Sequence, residues 1–298
     1  MKIRLGAVCF LNTRPLTAAL EPEDPFFEVS YAVPSACAAQ LQAGQIDVGL
    51  IPSIEYARSQ VPYCLVPEVA IACRGEVLSV QLFFRGPLER IRRVALDPSS
   101  RTSAALVQIL LRERYGLSPE FVEAPPASGR RGPEPARSGS GHKADFRMDS
   151  KLEAMLAGAD AALLIGDSAL RHLGGELSNM DLGQEWKGFT GYPFVFAFWA
   201  GRQGALAPAQ VQRLVEARRQ GAGQIPAIAR KAARELGPGF AQEQEVLVVL
   251  FERYLTQHIR FELGEEELAG LRCFYALAYQ HGLISGVPEL RFFEKGVR

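Results

Sequence analysis

A short segment with four hydroxyl side chains and one arginine is the part of this sequence best suited to hold an anion. Apolar residues before it predict a buried strand at 93–96, and those after it predict a helix that stops at Gly116. Hydroxyls, a guanidinium and the N–H groups of a helix start all favour a carboxylate or phosphate there. An ordinary capped helix start with a surface arginine stays the alternative. The candidate anion-binding residues are Ser99, Ser100, Arg101, Thr102 and Ser103.

Familiar catalytic motifs are missing from the rest of the chain. The sequence contains no Gly-x-Ser-x-Gly elbow, no His-Glu-x-x-His pair and no Walker loop. Asp167 follows a glycine and precedes Ser168, and it either caps a helix through Leu170 or lines a cleft. Without a triad or a metal cluster, chemistry would rest on Asn, Ser, Arg and Asp side chains at a cleft.

Charge and composition limit the class of ligand. The 298 residues include 33 basic and 33 acidic side chains, so the formal net charge is zero. Such a chain has no general electrostatic field for nucleic acid or for a membrane surface. Anion recognition must therefore be local, which points to a small charged metabolite and predicts neither nucleic acid nor membrane as a partner.

Cysteine usage and the first residues bear on the compartment. The five cysteines form no Cys-x-x-Cys pair, so they predict buried thiols of a reducing compartment and neither a metal site nor a redox motif. The apolar run at 5–11 is followed by Asn12, Thr13 and Arg14 and predicts a first strand rather than a secretory signal. No window approaches the roughly 20 apolar residues of a membrane span. We therefore expect a cytoplasmic protein.

Strands and helices alternate along most of the chain. One series occupies the first ninety residues, a second begins at Arg93, and the part beyond Pro208 has helical periodicity. This predicts an α/β fold with parallel, helix-covered sheets, two lobes around a central cleft and a helical C-terminal tail. We assign 1–86 and 197–298 to lobe 1, and 87–196 to lobe 2.

The expected position of the cleft follows from the strand ends. Ligands bind beyond the carboxyl ends of strands in open α/β sheets, so the turns after Cys9, Pro52 and Asp97 should meet there. Residues 127–147 interrupt lobe 2 with a segment rich in Gly, Pro, Ser and Arg. Such a composition cannot bury a core and predicts a disordered surface insertion, with a basic arm for an anionic partner as the alternative.

Several sequence blocks, in their order and spacing, resemble the chorismate dehydratases of the futalosine route to menaquinone. The resemblance covers most of the chain except the insertion, and it implies a type II periplasmic-binding-protein fold. It further implies a hydro-lyase without a cofactor that converts chorismate to 3-[(1-carboxyvinyl)oxy]benzoate. The blocks are Phe10-Leu11-Asn12-Thr13-Arg14-Pro15-Leu16, Asp47-Val48-Gly49-Leu50-Ile51-Pro52, Val77-Leu78-Ser79-Val80, residues 97–103, Ala161-Ala162-Leu163-Leu164-Ile165-Gly166-Asp167, Asp181-Leu182-Gly183, Trp186 and Thr190-Gly191-Tyr192-Pro193-Phe194-Val195-Phe196-Ala197.

The resemblance also implies roles for individual residues. It places Asn12 and Ser79 nearest the chemistry, whereas the residues alone leave open a helix-capping Asn and a Ser satisfied by backbone. The two carboxylates of chorismate suit the serine-rich turn on one wall of the cleft, and Asp167 is a further candidate substrate-binding residue. The substrate's own enolpyruvyl carboxylate could act as the base. The second wall is expected to contain Thr190, Gly191 and Tyr192.

Two other functions fit the same fold. One is a solute-binding protein that performs no chemistry, against which the lack of a signal peptide argues. The other is the later menaquinone-pathway enzyme that forms dihydroxynaphthoate. That paralogue typically opens with a Ser-Pro-Cys-Pro-Asn-Asp-like block, whereas this chain has Phe10-Leu11-Asn12.

Overall fold

The computed structural model describes residues 2–99, 101–124, 150–240 and 242–295. Ser100 and the predicted insertion at 127–147 lie outside the described residues. Within the described part, ten strands form two five-stranded sheets. The strands are β1 (Ile3–Val8), β2 (Phe27–Ala32), β3 (Val48–Pro52), β4 (Tyr63–Cys73), β5 (Val80–Phe84), β6 (Arg93–Leu96), β7 (Glu120–Glu123), β8 (Ala161–Ile165), β9 (Ser178–Asp181) and β10 (Phe194–Arg202).

Helices cover the sheets and make up the tail after β10, as the periodicity predicts. The Leu11–Thr13 segment is a single 3₁₀ turn, and Tyr254–His258 is a π-helical turn. The α-helices are α1 (Arg14–Thr17), α2 (Pro34–Gln42), α3 (Ser53–Arg58), α4 (Arg101–Tyr115), α5 (Ser150–Ala157), α6 (Gly166–Arg171), α7 (Leu182–Thr190), α8 (Pro208–Gly223), α9 (Ile225–Leu236), α10 (Gln244–Arg253) and α11 (Glu265–Gln280). None of these helices has the length and apolar character needed to cross a bilayer.

The two sheets share one pattern of strand order. The first runs β2-β1-β3-β10-β4 and the second β7-β6-β8-β5-β9. The first three strands of each sheet are mutually parallel, and the fourth is antiparallel to both of its neighbours. The sheets are thus mixed rather than parallel as predicted. In each sheet the antiparallel strand, β10 or β5, is the one that the chain forms directly after it passes from the other lobe. The direction of this strand is therefore set by the point at which the chain passes between the lobes.

The chain crosses between lobes earlier than the predicted boundaries at 86/87 and 196/197. Strand β5 belongs to the second sheet, where it pairs with β8 and β9, and β10 begins at Phe194 in the first sheet. The crossings therefore lie at 74–79 and 191–193. Hydrophobicity could not reveal this, because all five residues of β5 are buried and would suit the centre of either sheet.

An aromatic cluster holds the lobes together where the chain returns to the first sheet. The rings of Trp186 in α7, Phe194 in β10 and Phe274 in α11 are fully buried and pack edge to face, with centroids 5.0 to 6.2 Å apart. The Trp186 indole also donates a hydrogen bond to the Pro193 carbonyl at 3.1 Å. Aromatic pairs of this kind add stability beyond the area they bury.

Candidate functional site

A pocket of about 540 Å³ lies between the two sheets, and we call it the cleft pocket. The predicted turns meet there, because Asn12, Pro52 and Ser99 line the pocket just beyond β1, β3 and β6. Its remaining polar lining residues come from the second lobe and from the crossing before it. The complete lining is Val8, Phe10, Asn12, Pro34, Pro52, Ile71, Val77, Ser79, Val80, Ser99, Arg101, Thr102, Ser103, Ile165, Gly166, Phe196 and Ala197.

Ser79 lies in the turn just before β5. Its amide donates to the Val77 carbonyl at 2.7 Å, and its own carbonyl accepts a bond from the Gly166 amide at 2.8 Å. The preceding Leu78 has a φ of +60°, which a branched side chain adopts rarely. Strained backbone of this kind concentrates at functional sites. The turn therefore holds the Ser79 side chain in one position at the pocket wall.

The partly buried carboxylate of Asp181 stabilises this turn. It accepts bonds from the Leu78 amide at 2.7 Å, from the Val77 amide at 3.1 Å and from the Gln81 side chain at 2.6 Å. The same carboxylate caps α7 by accepting from the amides of residues 183 and 184. Burial raises the pKa of Asp181, and the N–H donors oppose that rise. Sequence reasoning placed Asp181 in a motif but did not assign it to the site.

Tyr254 contacts Ser79, one of the two predicted catalytic residues. Its side chain is fully buried, and its hydroxyl donates a hydrogen bond to Ser79 Oγ at 2.8 Å. Burial raises the pKa of Tyr254, whereas hydrogen bonding with Ser79 and Asn12 lowers it, so the raised value keeps the phenol protonated at neutral pH. Asn12 Oδ1 is buried and has no hydrogen-bond partner among the described residues. The structure thus places both Asn12 and Ser79 in the lining of the cleft pocket.

Several groups of the serine-rich turn already have partners. The Ser99 hydroxyl and amide both donate to Asp97 Oδ1, at 2.7 and 3.0 Å, and Lys151 Nζ binds Asp97 Oδ2 at 2.5 Å. Thr102 Oγ1 accepts a bond from the Ile54 amide at 3.2 Å. These contacts order the turn, and they show that part of its hydroxyl chemistry serves the fold. Anion binding there stays a prediction.

Arg101 makes a contact between the lobes. Its Nη1 donates to Glu55 Oε2 at 2.6 Å, which ties the start of α4 to α3 of the first lobe. The Arg101 side chain stays 43% exposed and also lines the cleft pocket, so its other N–H groups remain accessible to a ligand. Ser103 is buried beside it in the first turn of α4.

Asp167 positions the segment that contains Asn12. Its Oδ1 accepts a bond from the Leu11 amide at 3.1 Å, across the cleft from α6 to the 3₁₀ turn. The structure does not support the alternative role as a cap of α6, since that helix has Ile165 at its N-cap and no side-chain cap bond. Burial raises the pKa of Asp167, and the bond from Leu11 opposes this rise. The lobes touch here, because a Cβ on Gly166 would come within 2.8 Å of the Phe10 ring.

Comparisons with known proteins identify the family of this chain. A sequence profile described as menaquinone biosynthesis matches residues 3–134 and 138–280. The chain belongs to this family. It is also 33% identical over 288 residues to the chorismate dehydratase of Thermus thermophilus, covering 91% of this chain and 93% of that protein.

Solved structures similar to this member of the menaquinone biosynthesis family confirm the predicted fold. A protein from Archaeoglobus fulgidus has a TM-score of 0.71 and 17% identity, covering 95% of this chain and 98% of its own. The periplasmic aliphatic sulphonate binding protein from Escherichia coli has a TM-score of 0.62 and 15% identity, covering 100% and 95%. At such identities the likeness shows the periplasmic-binding-protein fold alone.

The structure does not bring Thr190, Gly191 and Tyr192 to the cleft pocket. They end helix α7: Gly191 has a φ of +76° at the C-cap, and Thr190 Oγ1 donates to the Trp186 carbonyl at 2.9 Å. Tyr192 is 43% exposed. The following strand β10 lines the pocket instead, through Phe196 and Ala197.

Sequence reasoning missed Tyr254 and the apolar wall of the pocket. Tyr254 lies in a helical tail where an aromatic residue is typical of core packing, so its type and spacing carried no signal. Phe10 and Phe196 belong to blocks of the resemblance but were not assigned to the site. Among the described residues, no group of three or more His, Cys, Asp or Glu side chains is placed to hold a metal ion.

Proposed function

We propose that this protein is a chorismate dehydratase that eliminates water from chorismate to give 3-[(1-carboxyvinyl)oxy]benzoate. The observation that carries the proposal is the meeting of Asn12 and Ser79 in the cleft pocket of a chain 33% identical to a chorismate dehydratase. Membership of the menaquinone biosynthesis family supports the same reaction.

The pocket suits an elimination that needs little side-chain chemistry. Loss of the ring hydroxyl and of the neighbouring ring hydrogen makes the ring aromatic, so the reaction is downhill. The protein then has to orient the substrate and stabilise the departing oxygen. In this proposal Ser79 donates a hydrogen bond to that oxygen, and Asn12 Oδ1, buried without a partner among the described residues, accepts one from the substrate.

The base in this proposal is the substrate itself. The described residues that line the pocket include no Asp, Glu or His side chain. The enolpyruvyl carboxylate takes the neighbouring ring proton, and this proton completes the water molecule as the C–O bond breaks. Such an internal base benefits from a binding site that holds one substrate conformation, since proximity and orientation supply much of the rate.

The carboxylates of chorismate are proposed to bind at the serine-rich turn. Arg101 is the one cation among the described lining residues, and a guanidinium can pair with a carboxylate through two parallel N–H groups while Nη1 stays on Glu55. Thr102 and Ser103 follow Arg101 in α4 and also line the pocket, as does Ser99 before the helix. Ser100, expected at this wall, lies outside the described residues.

The remaining parts of the proposal concern cofactor and compartment. We propose that the reaction needs no cofactor, since the sequence has no nucleotide or metal motif, and that the enzyme acts on a free small molecule in the cytoplasm. Full activity after exhaustive dialysis against chelator is the expected result. Activity that disappears with chelator and returns with a divalent ion would contradict this part.

Incubation of the purified protein with chorismate tests the main proposal. Ultraviolet absorbance and mass spectrometry should show the aromatic product, with Asn12→Ala and Ser79→Ala each lowering kcat by about 30- to 1000-fold. This range corresponds to the roughly 2–4 kcal/mol that one preorganised donor at a developing charge contributes. Circular dichroism controls for folding.

Other outcomes would assign a different function. Binding of chorismate without turnover would indicate a solute-binding protein. Conversion of a cyclised futalosine derivative to dihydroxynaphthoate would indicate the paralogue. If the Asn12 and Ser79 variants turn over chorismate at the wild-type rate, those two positions are not catalytic.

A further inference from the structure

The hydroxyl of Ser79 has one hydrogen-bond partner in the described part of the chain, and it comes from the C-terminal tail. Tyr254 Oη donates to Ser79 Oγ at 2.8 Å, and the tyrosine ring is 1% exposed. A hydroxyl oxygen has one proton to donate and two positions that accept. Because the Tyr254 proton occupies one accepting position, the proton of Ser79 cannot also point to Tyr254.

The direction of this bond follows from the neighbouring groups. A phenol is more acidic than an aliphatic hydroxyl, so it is the better donor of the two. Asn12 lines the same cleft pocket as Ser79, and its Oδ1 is buried without a hydrogen-bond partner among the described residues. The bond between the two hydroxyls thus runs from Tyr254 to Ser79.

Tyr254 owes its position to an unusual backbone turn. It is the first residue of the π-helical turn that ends α10, and its carbonyl accepts a bond from the Ile259 amide at 3.1 Å, five residues on. Such turns are rare and often occur at functional sites. The same turn contacts the crossing a second time, since His258 Nδ1 lies 3.2 Å from the Glu76 carbonyl oxygen. The π turn therefore docks on the segment that presents Ser79.

We propose that Tyr254 is a positioning residue that directs the Ser79 proton into the cleft pocket, toward the oxygen that leaves. This inference rests on the proposed dehydratase function. Tyr254 does not line the pocket; it acts through Ser79, whose hydroxyl it polarises and holds in one rotamer about the Cβ–Oγ bond. Hydrogen bonds in such chains strengthen one another in a dry interior. The role predicts an effect on kcat that depends on the presence of Ser79.

Tyr254→Phe tests this role, because it removes the hydroxyl and keeps the packed ring. We expect kcat for chorismate to fall about 10- to 100-fold, with KM within threefold of wild type, since the interaction matters mainly in the transition state. Tyr56→Phe is the matched control. The Tyr56 hydroxyl is also largely buried and donates to the Glu289 carbonyl at 2.8 Å, away from the pocket, so kcat should not change.

The double variant Ser79→Ala/Tyr254→Phe separates positioning from a structural role. A residue that acts through Ser79 adds nothing once Ser79 is gone, so the double variant should be no slower than Ser79→Ala alone. Ser79→Ala removes the oxygen that accepts the proton of the buried Tyr254 hydroxyl. The double variant should therefore melt at a higher temperature than Ser79→Ala.

The outcomes distinguish this inference from the proposed function. Wild-type protein that forms no aromatic product from chorismate overturns both. If the wild type is active, two results overturn the role of Tyr254 alone. One is a wild-type kcat in Tyr254→Phe. The other is a double variant whose kcat is lowered by the product of the two single-variant factors. A slow Tyr254→Phe with a double variant equal to Ser79→Ala supports it.

Discussion

The turn that presents Ser79 depends on one partly buried carboxylate, and Asp181→Asn should disrupt it. Asp181 Oδ2 accepts from the Leu78 amide and from Gln81 Nε2, while Oδ1 accepts from the amides of Gly183 and residue 184. An asparagine has one oxygen and one NH₂ group. Whichever way its amide turns, two N–H donors then face the NH₂ group and lose their acceptor.

The size of the effect follows from these two donors. These donors are only partly buried, so the free energy of unfolding should fall by about 1–3 kcal/mol, the range for one buried donor without a partner. The left-handed conformation of Leu78 favours release of the turn, because such strain persists only where neighbouring contacts impose it. Release of the turn would move Ser79, so kcat for chorismate should fall as well.

Urea titration followed by circular dichroism measures the stability, and steady-state kinetics measures kcat. Asp160→Asn is the matched control, since Asp160 Oδ2 also accepts two backbone amides, those of Arg92 and Arg93 at 2.8 and 2.9 Å, but at an exposed site. Its stability should change less and its kcat not at all. An Asp181→Asn variant with wild-type stability and kcat would refute the reasoning.

Three further predictions concern binding, pH and the insertion. Arg101→Ala should raise KM about 10- to 150-fold with a smaller change in kcat, because a charge-assisted hydrogen bond contributes roughly 1.5–3 kcal/mol. Arg58→Ala is the control, since it removes another partner of Glu55 and should leave KM unchanged. A wild-type KM in Arg101→Ala would refute the binding of a substrate carboxylate by Arg101. Because burial raises the pKa of Asp167 in the fold, its contribution to stability is present at acid pH and lost as pH rises through that pKa. Asp167→Asn keeps an oxygen that accepts the bond from the Leu11 amide. Urea titrations should therefore show that the free energy of unfolding of the variant rises relative to that of wild type from acid to neutral pH. A difference in unfolding free energy that does not depend on pH would contradict this. Replacing residues 127–147 with a short Gly-Ser linker should leave kcat/KM unchanged. The composition of this segment predicts that it buries no core, and the entropy of closing a loop grows slowly with loop length. Loss of turnover in the linker variant would indicate that the segment contributes to the cleft.

Local patterns in the sequence determined many elements directly. Strand β6 has the predicted bounds, and helix α4 ends at Tyr115, directly before the predicted stop at Gly116, because short apolar runs between polar residues leave few alternatives. The turn between β6 and α4 could likewise be placed at the cleft. Strand ends in an α/β sheet meet at one edge, so the chain order of Asn12, Pro52 and Ser99 was enough to predict a common pocket.

Tertiary structure alone decided which sheet each crossing strand joins and which side chains meet. Strand β5 is buried along its whole length, so its composition suits both sheets, and long-range pairing with β8 and β9 selects one. The Tyr254 hydroxyl reaches Ser79 across 175 positions of sequence through a π turn that no local pattern marked. Thr190 and Tyr192 were expected at the pocket but end a helix. Local propensity sets the elements, whereas the direction of a side chain depends on packing against residues far away in the chain.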